Sequence, residues 1–276
     1  MRQLLTKWGL RVAPVLLLLC LGGWWYTVQQ HAREIHTLTL ETPDFHSFTF
    51  VNALGEKIAY RLLAPRVLAA TNRYPLVVYL HGSMEDGTEN IAQLKFIGPM
   101  FEQEALREQY PSYVLVTQCP PNDNWVASES YFGSVKAAAQ PARPLRLTNE
   151  VIHNLLQRYR IDHDRIYLFG VSSGGSGAWD AAGRWPDLFA AVMPFAGCGD
   201  PSTAKRLARL PIWAFHGRND VIVNPRTTRL MVAAVKAAGG DPNFTLVRSG
   251  HTCWINAFQN PKVLSWMYAQ RRKPGR

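Results

Sequence analysis

Short, mostly apolar runs alternate with segments of helical periodicity through most of this chain, and that alternation limits the fold more than any other feature. The runs at 76–80, 113–117, 165–169, 189–194, 211–216 and 244–247 are too short for helices. Between them, 91–108, 147–159, a segment running through 182, 224–238 and 254–270 carry apolar residues at helical spacing. In 147–159 the residues Val151, Ile152, Leu155, Leu156 and Tyr159 fall on one face. Strands that are apolar on both sides must be covered on both sides. The expectation is therefore an α/β fold, a mostly parallel central sheet with helices on both faces. Ahead of it, 45–51 and 57–63 are β-rich and separated by the turn residues 52–56, which predicts an N-terminal antiparallel hairpin at a sheet edge. Chemistry on such a sheet sits at the carboxyl ends of its strands. The stretch 120–144 is irregular, and loops that long are functional or mobile.

A chain of 276 residues with 47% hydrophobic and 18% charged residues buries a large core without disulfides or metals, as one domain. Its net charge of +10 is uneven: about +3 lies in residues 1–34 and +4 in 271–276, leaving about +3 for the body. No basic stripe is interleaved with aromatics, so a nucleic-acid partner is excluded. Arg2, Lys7 and Arg11 precede an uncharged run at 12–28 with Trp24, Trp25 and Tyr26 at its far end. As a helix the run would reach about 26 Å, near the lower limit for a bilayer span. It reads as an uncleaved signal anchor or a cleaved signal peptide, with the membrane as partner of this segment and the body outside the cytoplasm. The domain reading is an address at 1–30, a polar stem at 31–44, a catalytic domain at 45–270 and a solvated basic tail at 271–276. Beyond the address, Cys119, Cys198 and Cys253 allow at most one intramolecular disulfide, and none has metal-ligand spacing, so no metal is expected.

Gly170-Val171-Ser172-Ser173-Gly174 follows one expected strand and opens the next helix. Glycines there allow a sharp turn that lifts Ser172 above the strand ends, with the Ser173 amide at the helix start facing a developing oxyanion. Ser173 lacks the preceding glycine, and Ser176 lies inside the helix. A serine hydroxyl needs a base. His251 sits in a loop after the last strand, whereas His216 ends an apolar strand and reads as a packed residue supporting its loop. Asp220, just beyond that strand, is the carboxylate that would orient His251. Asp200 is the reserve acid, although it also suits a helix N-cap before Pro201. A second oxyanion donor is expected in Leu80-His81-Gly82-Ser83: the amide of Ser83, or else of Met84, with His81 structural. Trp125, Trp179 and Trp254 would wall an apolar pocket. Cys198 and Cys253 follow the sixth strand and the histidine loop, where a disulfide between them would brace His251.

These residues carry a resemblance. The segments at 79–82, 118–120, 165–175, 178–180, 216–220 and 250–254 are similar to α/β-hydrolases of the secreted esterase/peptidase group, relatives of poly(hydroxybutyrate) depolymerases and phospholipase/carboxylesterases. The resemblance spans roughly 56–270 and implies the α/β-hydrolase fold, with Ser172 as nucleophile, Asp220 as acid and His251 as base. The chain order Ser172, Asp220, His251 is that of the fold. It departs at Ser83-Met84, where relatives often have a small residue or glycine. The expected activity is hydrolysis of a small or polymeric carboxylic ester through an acyl-enzyme, with no cofactor. A peptidase or an acyltransferase on the same triad, and a non-catalytic envelope binding protein on the same fold, are the alternatives.

Overall fold

The structure, a computed structural model, describes residue 27 and residues 29–127 and 136–272. The expected membrane segment falls almost wholly outside the described residues, as do the tip of the long loop and the last four residues.

Among the described residues eight strands form one sheet: β1 (His46–Val51), β2 (Lys57–Leu63), β3 (Tyr74–Leu80), β4 (Tyr113–Thr117), β5 (Ile161–Val171), β6 (Ala191–Phe195), β7 (Trp213–Gly217) and β8 (Asn243–Val247). Their spatial order is β1-β2-β4-β3-β5-β6-β7-β8. The strands from β3 to β8 are mutually parallel, β2 runs antiparallel to β4, and β1 closes the expected edge hairpin, with His46 opposite Leu62 and Val51 opposite Lys57. Asn52 makes the hairpin turn, its Oδ1 accepting from the Leu54 and Glu56 amides at 3.0 Å each.

Period-two alternation divides the strand residues between two layers. Leu76, Val78 and Leu80 of β3 face one side with Leu115, Ile166 and Leu168; Val77 and Tyr79 face the other with Val116, Tyr167 and Phe169. The first side is covered by α4 (Arg143–Arg158), α5 (Ser173–Arg184), α6 (Ala204–Leu207) and α7 (Arg226–Ala237). The second is covered by α1 (residues 29–41), α2 (Gly98–Glu102), α3 (Glu104–Gln109), α8 (Cys253–Phe258) and α9 (Pro261–Ala269). Each large apolar side chain removed from water contributes about 1.5–3 kcal/mol, so the buried Leu145, Val151, Ile152 and Leu155 are what hold α4 against the sheet.

Four expectations of local structure are corrected. The segment 31–44, expected as a polar stem, is largely helical: α1 docks through Leu38 and Ile35, because its polar residues leave one apolar seam. The helix expected at 91–108 is a 3₁₀ turn at Ala92–Leu94 followed by α2 and α3. Pro99 restarts the helix at α2, and Gln103 is extended (ψ 125°) between the two helices. The closing helix breaks at Asn260-Pro261, where Asn260 caps α9 by accepting from the Lys262 amide at 3.1 Å. Finally, the basic tail is docked at its start. The Arg272 guanidinium donates to Asp164 Oδ1 at 2.9 Å, and its amide to the Asp164 carbonyl at 2.8 Å.

Candidate active site

β5 ends in a turn tight enough to force Ser172 into φ 55°, ψ −118°, a region that costs a non-glycine residue about 1–3 kcal/mol. The neighbours hold it there: the Ser172 amide donates to the Phe195 carbonyl of β6 at 2.9 Å, and its carbonyl accepts from Ser176 in α5 at 3.0 Å. Gly174 is required by close approach, since a Cβ there would lie 2.0 Å from the Leu80 carbonyl oxygen. The helix thus starts hard against β3, and the hydroxyl of Ser172 stands above the strand ends.

The other two groups arrive from β7 and β8. Gly217 pairs with Val247 at the ends of those strands, and the lacing continues into the loops. Arg218 donates to the Val247 carbonyl at 2.8 Å and Asn219 to that of Ser249 at 3.0 Å. His251 Nε2 lies 2.8 Å from Ser172 Oγ, and its Nδ1 lies 2.7 Å from Asp220 Oδ2. The Asp220 side chain is fully buried, and its Oδ1 accepts from the Ile222 and Val223 amides at 2.9 Å each. An ionised carboxylate only accepts, so the His251 proton sits on Nδ1 and Nε2 is left to receive the hydroxyl proton of Ser172. Trp254 holds the ring edge-on, with centroids 5.6 Å apart, and is itself held edge-on by Phe96.

The Ser173 amide opens α5, and the Gly82–Ser83 turn approaches from β3, where a Cβ on Gly82 would lie 3.6 Å from Ser172 Cβ. Ser83 is exposed and Met84 is 88% exposed. His81 pins this turn from below: its Nδ1 donates to the Gly82 carbonyl at 2.7 Å and its Nε2 accepts from the Cys119 amide at 2.9 Å. Burial pushes His81 down to about 4, which keeps it the neutral ring that this pairing requires. Glu85, two residues beyond Ser83, is buried, and burial raises its carboxyl to about 7; Asp86 beside it is raised likewise to about 7. Nothing in Ser83-Met84-Glu85-Asp86 marks Glu85 as different from a solvated loop acid, so sequence reading passes over it.

The remaining candidates lie elsewhere. Trp125 and Trp179 are each 1% exposed and belong to the core under α4 and α5, so they wall no open pocket. Trp125 is drawn inward by its Nε1, which donates to the His81 carbonyl at 2.9 Å. Trp254 alone of the three tryptophans meets the site. No disulfide joins Cys198 to Cys253. Cys253 is buried in the layer of Phe195 and Phe215, whereas Cys198 meets the Thr227 hydroxyl of α7. Asp200 is a cap: its Oδ1 accepts from the Ser202 amide at 2.8 Å and its Oδ2 from the Ala137 amide at 2.8 Å. Ser176 Oγ accepts from the Cys198 amide at 2.9 Å. Among the described residues no cluster of three potential metal ligands occurs.

Comparison with known proteins places this geometry in context. The family model described as "Putative esterase" (Esterase) matches residues 51–261. The fold superposes on a thermostable esterase with a TM-score of 0.77 at 35% identity, over 84% of this chain and 64% of that one. A ferulic acid esterase superposes with a TM-score of 0.59 at 15% identity, over 81% of this chain and 97% of its own. An acylaminoacyl peptidase from Pyrococcus horikoshii superposes with a TM-score of 0.62 at 14% identity, over 84% of this chain and 43% of that one; these two likenesses concern the fold. A bifunctional acetylxylan esterase/xylanase from Neocallimastix patriciarum is 29% identical over 85 residues, which are 31% of this chain and 13% of that protein. The chain thus spans less than two thirds of the length of the thermostable esterase and of the bifunctional enzyme.

Proposed function

This chain belongs to the Esterase family, and we propose that it is a serine hydrolase that cleaves carboxylic esters with Ser172, His251 and Asp220. The observation that carries the reading is the unbroken relay from Ser172 Oγ through His251 to Asp220, at 2.8 and 2.7 Å. Ser172 Oγ attacks the ester carbonyl carbon as its proton passes to His251 Nε2. The buried Asp220 carboxylate stabilises the imidazolium. The tetrahedral oxyanion accepts from the amides of Ser173 and Ser83; one such donor is worth about 10²–10³ in rate. Collapse breaks the carbonyl–oxygen bond, and the leaving alcohol takes the proton from His251. Water, deprotonated by the same nitrogen, then releases the acid and restores the Ser172 hydroxyl.

The apolar part of the substrate is expected on Met84, Val221, Ile222 and Ile255. All four are exposed, and they lie within two residues in sequence of Ser83, Asp220 and Trp254. This rim replaces the pocket of three tryptophans. Ester against amide chemistry is decided by assaying p-nitrophenyl esters and the matching anilides in parallel. Ester hydrolysis that falls by about 10⁴ or more in Ser172→Ala supports the proposal, while anilides cleaved as fast as esters would turn it into a peptidase. From the uncharged run at 12–28 we also propose that the domain works outside the cytoplasm. Recovery of the chain in the cytosolic fraction of its own cells would sink that part.

A further inference from the structure

Asp220 Oδ2 faces a second imidazole. His216, next to last in β7, is wholly buried, and its Nε2 lies 3.1 Å from Asp220 Oδ2 and 2.9 Å from the Val223 carbonyl oxygen. Its Nδ1 lies 2.7 Å from Thr228 Oγ1 in α7. A carbonyl oxygen and a carboxylate only accept, so Nε2 carries the proton. The one proton of the Thr228 hydroxyl has two acceptors in reach, the Gly197 carbonyl at 3.0 Å and His216 Nδ1; burial holds the His216 ring below the ordinary histidine range and favours the neutral ring, whose bare Nδ1 takes that proton. The carboxylate of Asp220 is therefore held by two backbone amides on Oδ1 and by His251 on Oδ2, with the His216 Nε2–H, shared with the Val223 carbonyl, 3.1 Å from that same oxygen.

We propose that His216 is a positioning residue of the relay, whose Nε2–H fixes the Asp220 oxygen that faces His251 and draws off part of its charge. A histidine present only to hold its loop would be satisfied by Val223 and Thr228. The Nε2 of this ring also stands 3.1 Å from the one oxygen that His251 uses, so its N–H, bonded to the Val223 carbonyl, is shared with Oδ2 in a pocket with no exposed surface at Asp220. The inference rests on the hydrolase reading of Ser172, Asp220 and His251. The titratable groups facing His216 are Asp220 and His251. Cys198, after β6, and Cys253 of α8 face Asp220, and burial raises both thiols, Cys253 to about 12, so they stay neutral at neutral pH.

Removing the His216 N–H leaves more negative charge at Oδ2 for His251. The imidazolium is then held more tightly, and a higher pH is needed before His251 acts as base. In His216→Phe, kcat is expected to fall about tenfold, the size of one hydrogen bond to a charged group. KM stays within about twofold, because His216 touches no substrate. The acid limb of the pH–rate profile moves up by about half a pH unit. His216→Gln can bring an amide N–H toward the place of Nε2 and is expected to recover the wild-type limb and most of kcat. An unmoved limb in His216→Phe, or a limb equally shifted in His216→Gln, would overturn the inference. Should the variants fail to fold, ¹⁵N NMR of the native protein decides: the inference requires the Nε2–H tautomer at His216, and the Nδ1–H tautomer would overturn it without touching the hydrolase reading. Native protein whose ester hydrolysis survives Ser172→Ala would overturn both.

Discussion

Glu85 carries a carboxyl into the interior two residues beyond Ser83, and the Gly82 amide is its hydrogen-bond partner. Its folded-state value of about 7 lies above the ordinary 4.5, so the fold favours the protonated form. That contribution is whole below the unfolded value and lost as pH rises through 7. Glu85→Gln is therefore expected to melt at nearly the wild-type temperature at pH 5 and higher at pH 8, by about 2–6 °C. Equal melting shifts at both pH values would show that the carboxyl is solvated. His81 works in the opposite sense: its value of about 4 favours the neutral ring, a contribution present above 6.5 and lost as pH falls through 4. Residues of this kind separate what sequence can say from what it cannot. Ser172, Asp220 and His251 stand out because each follows a separate apolar strand. Glu85 and the second partner of Asp220 depend on which way a loop side chain turns, and periodicity holds no record of that. The tryptophans mislead for a related reason, because the ring that suits a binding pocket suits a core equally well.

At the scale of elements, the turn between β5 and α5 concentrates the strain of the site. Gly174 lets α5 begin against the Leu80 carbonyl, and Gly174→Ala must push β3 and α5 apart. A cost of about 2–3 kcal/mol is expected, read as a lower denaturation midpoint with an unchanged slope. Wild-type stability in that variant would mean that the turn is looser than described. The strands were legible almost to the residue at β2 and β4, because β2 alternates polar and apolar residues after a turn and β4 is a short, almost wholly apolar run. The helices were less so. Periodicity passes through Pro99 and Pro261, where the chain restarts, and through 31–44, where α1 forms on one apolar seam. Proline's missing N–H is legible in the sequence, but whether it bends a helix or ends one is settled by the surface it must pack against.

Across the whole molecule, the parallel order β3-β5-β6-β7-β8 puts the loops carrying Ser83, Ser172, Asp220 and His251 at one end of one sheet. Two clefts, of about 800 and 1020 Å³, open at the other end, against Tyr74 and Arg165 and against Pro211 and Asn243, and neither is lined by any of the relay residues. The fold class was readable because strand–helix alternation admits few arrangements. That hydroxyl, imidazole and carboxylate should meet within hydrogen-bonding distance could be expected only from chain order and strand ends. The most direct measurement of the central claim is intact-mass analysis and site mapping after treatment with a fluorophosphonate. The account predicts one adduct, on Ser172, absent from Ser172→Ala and retained in Ser176→Ala. An adduct mapped to another residue, or labelling that persists in Ser172→Ala, would contradict it.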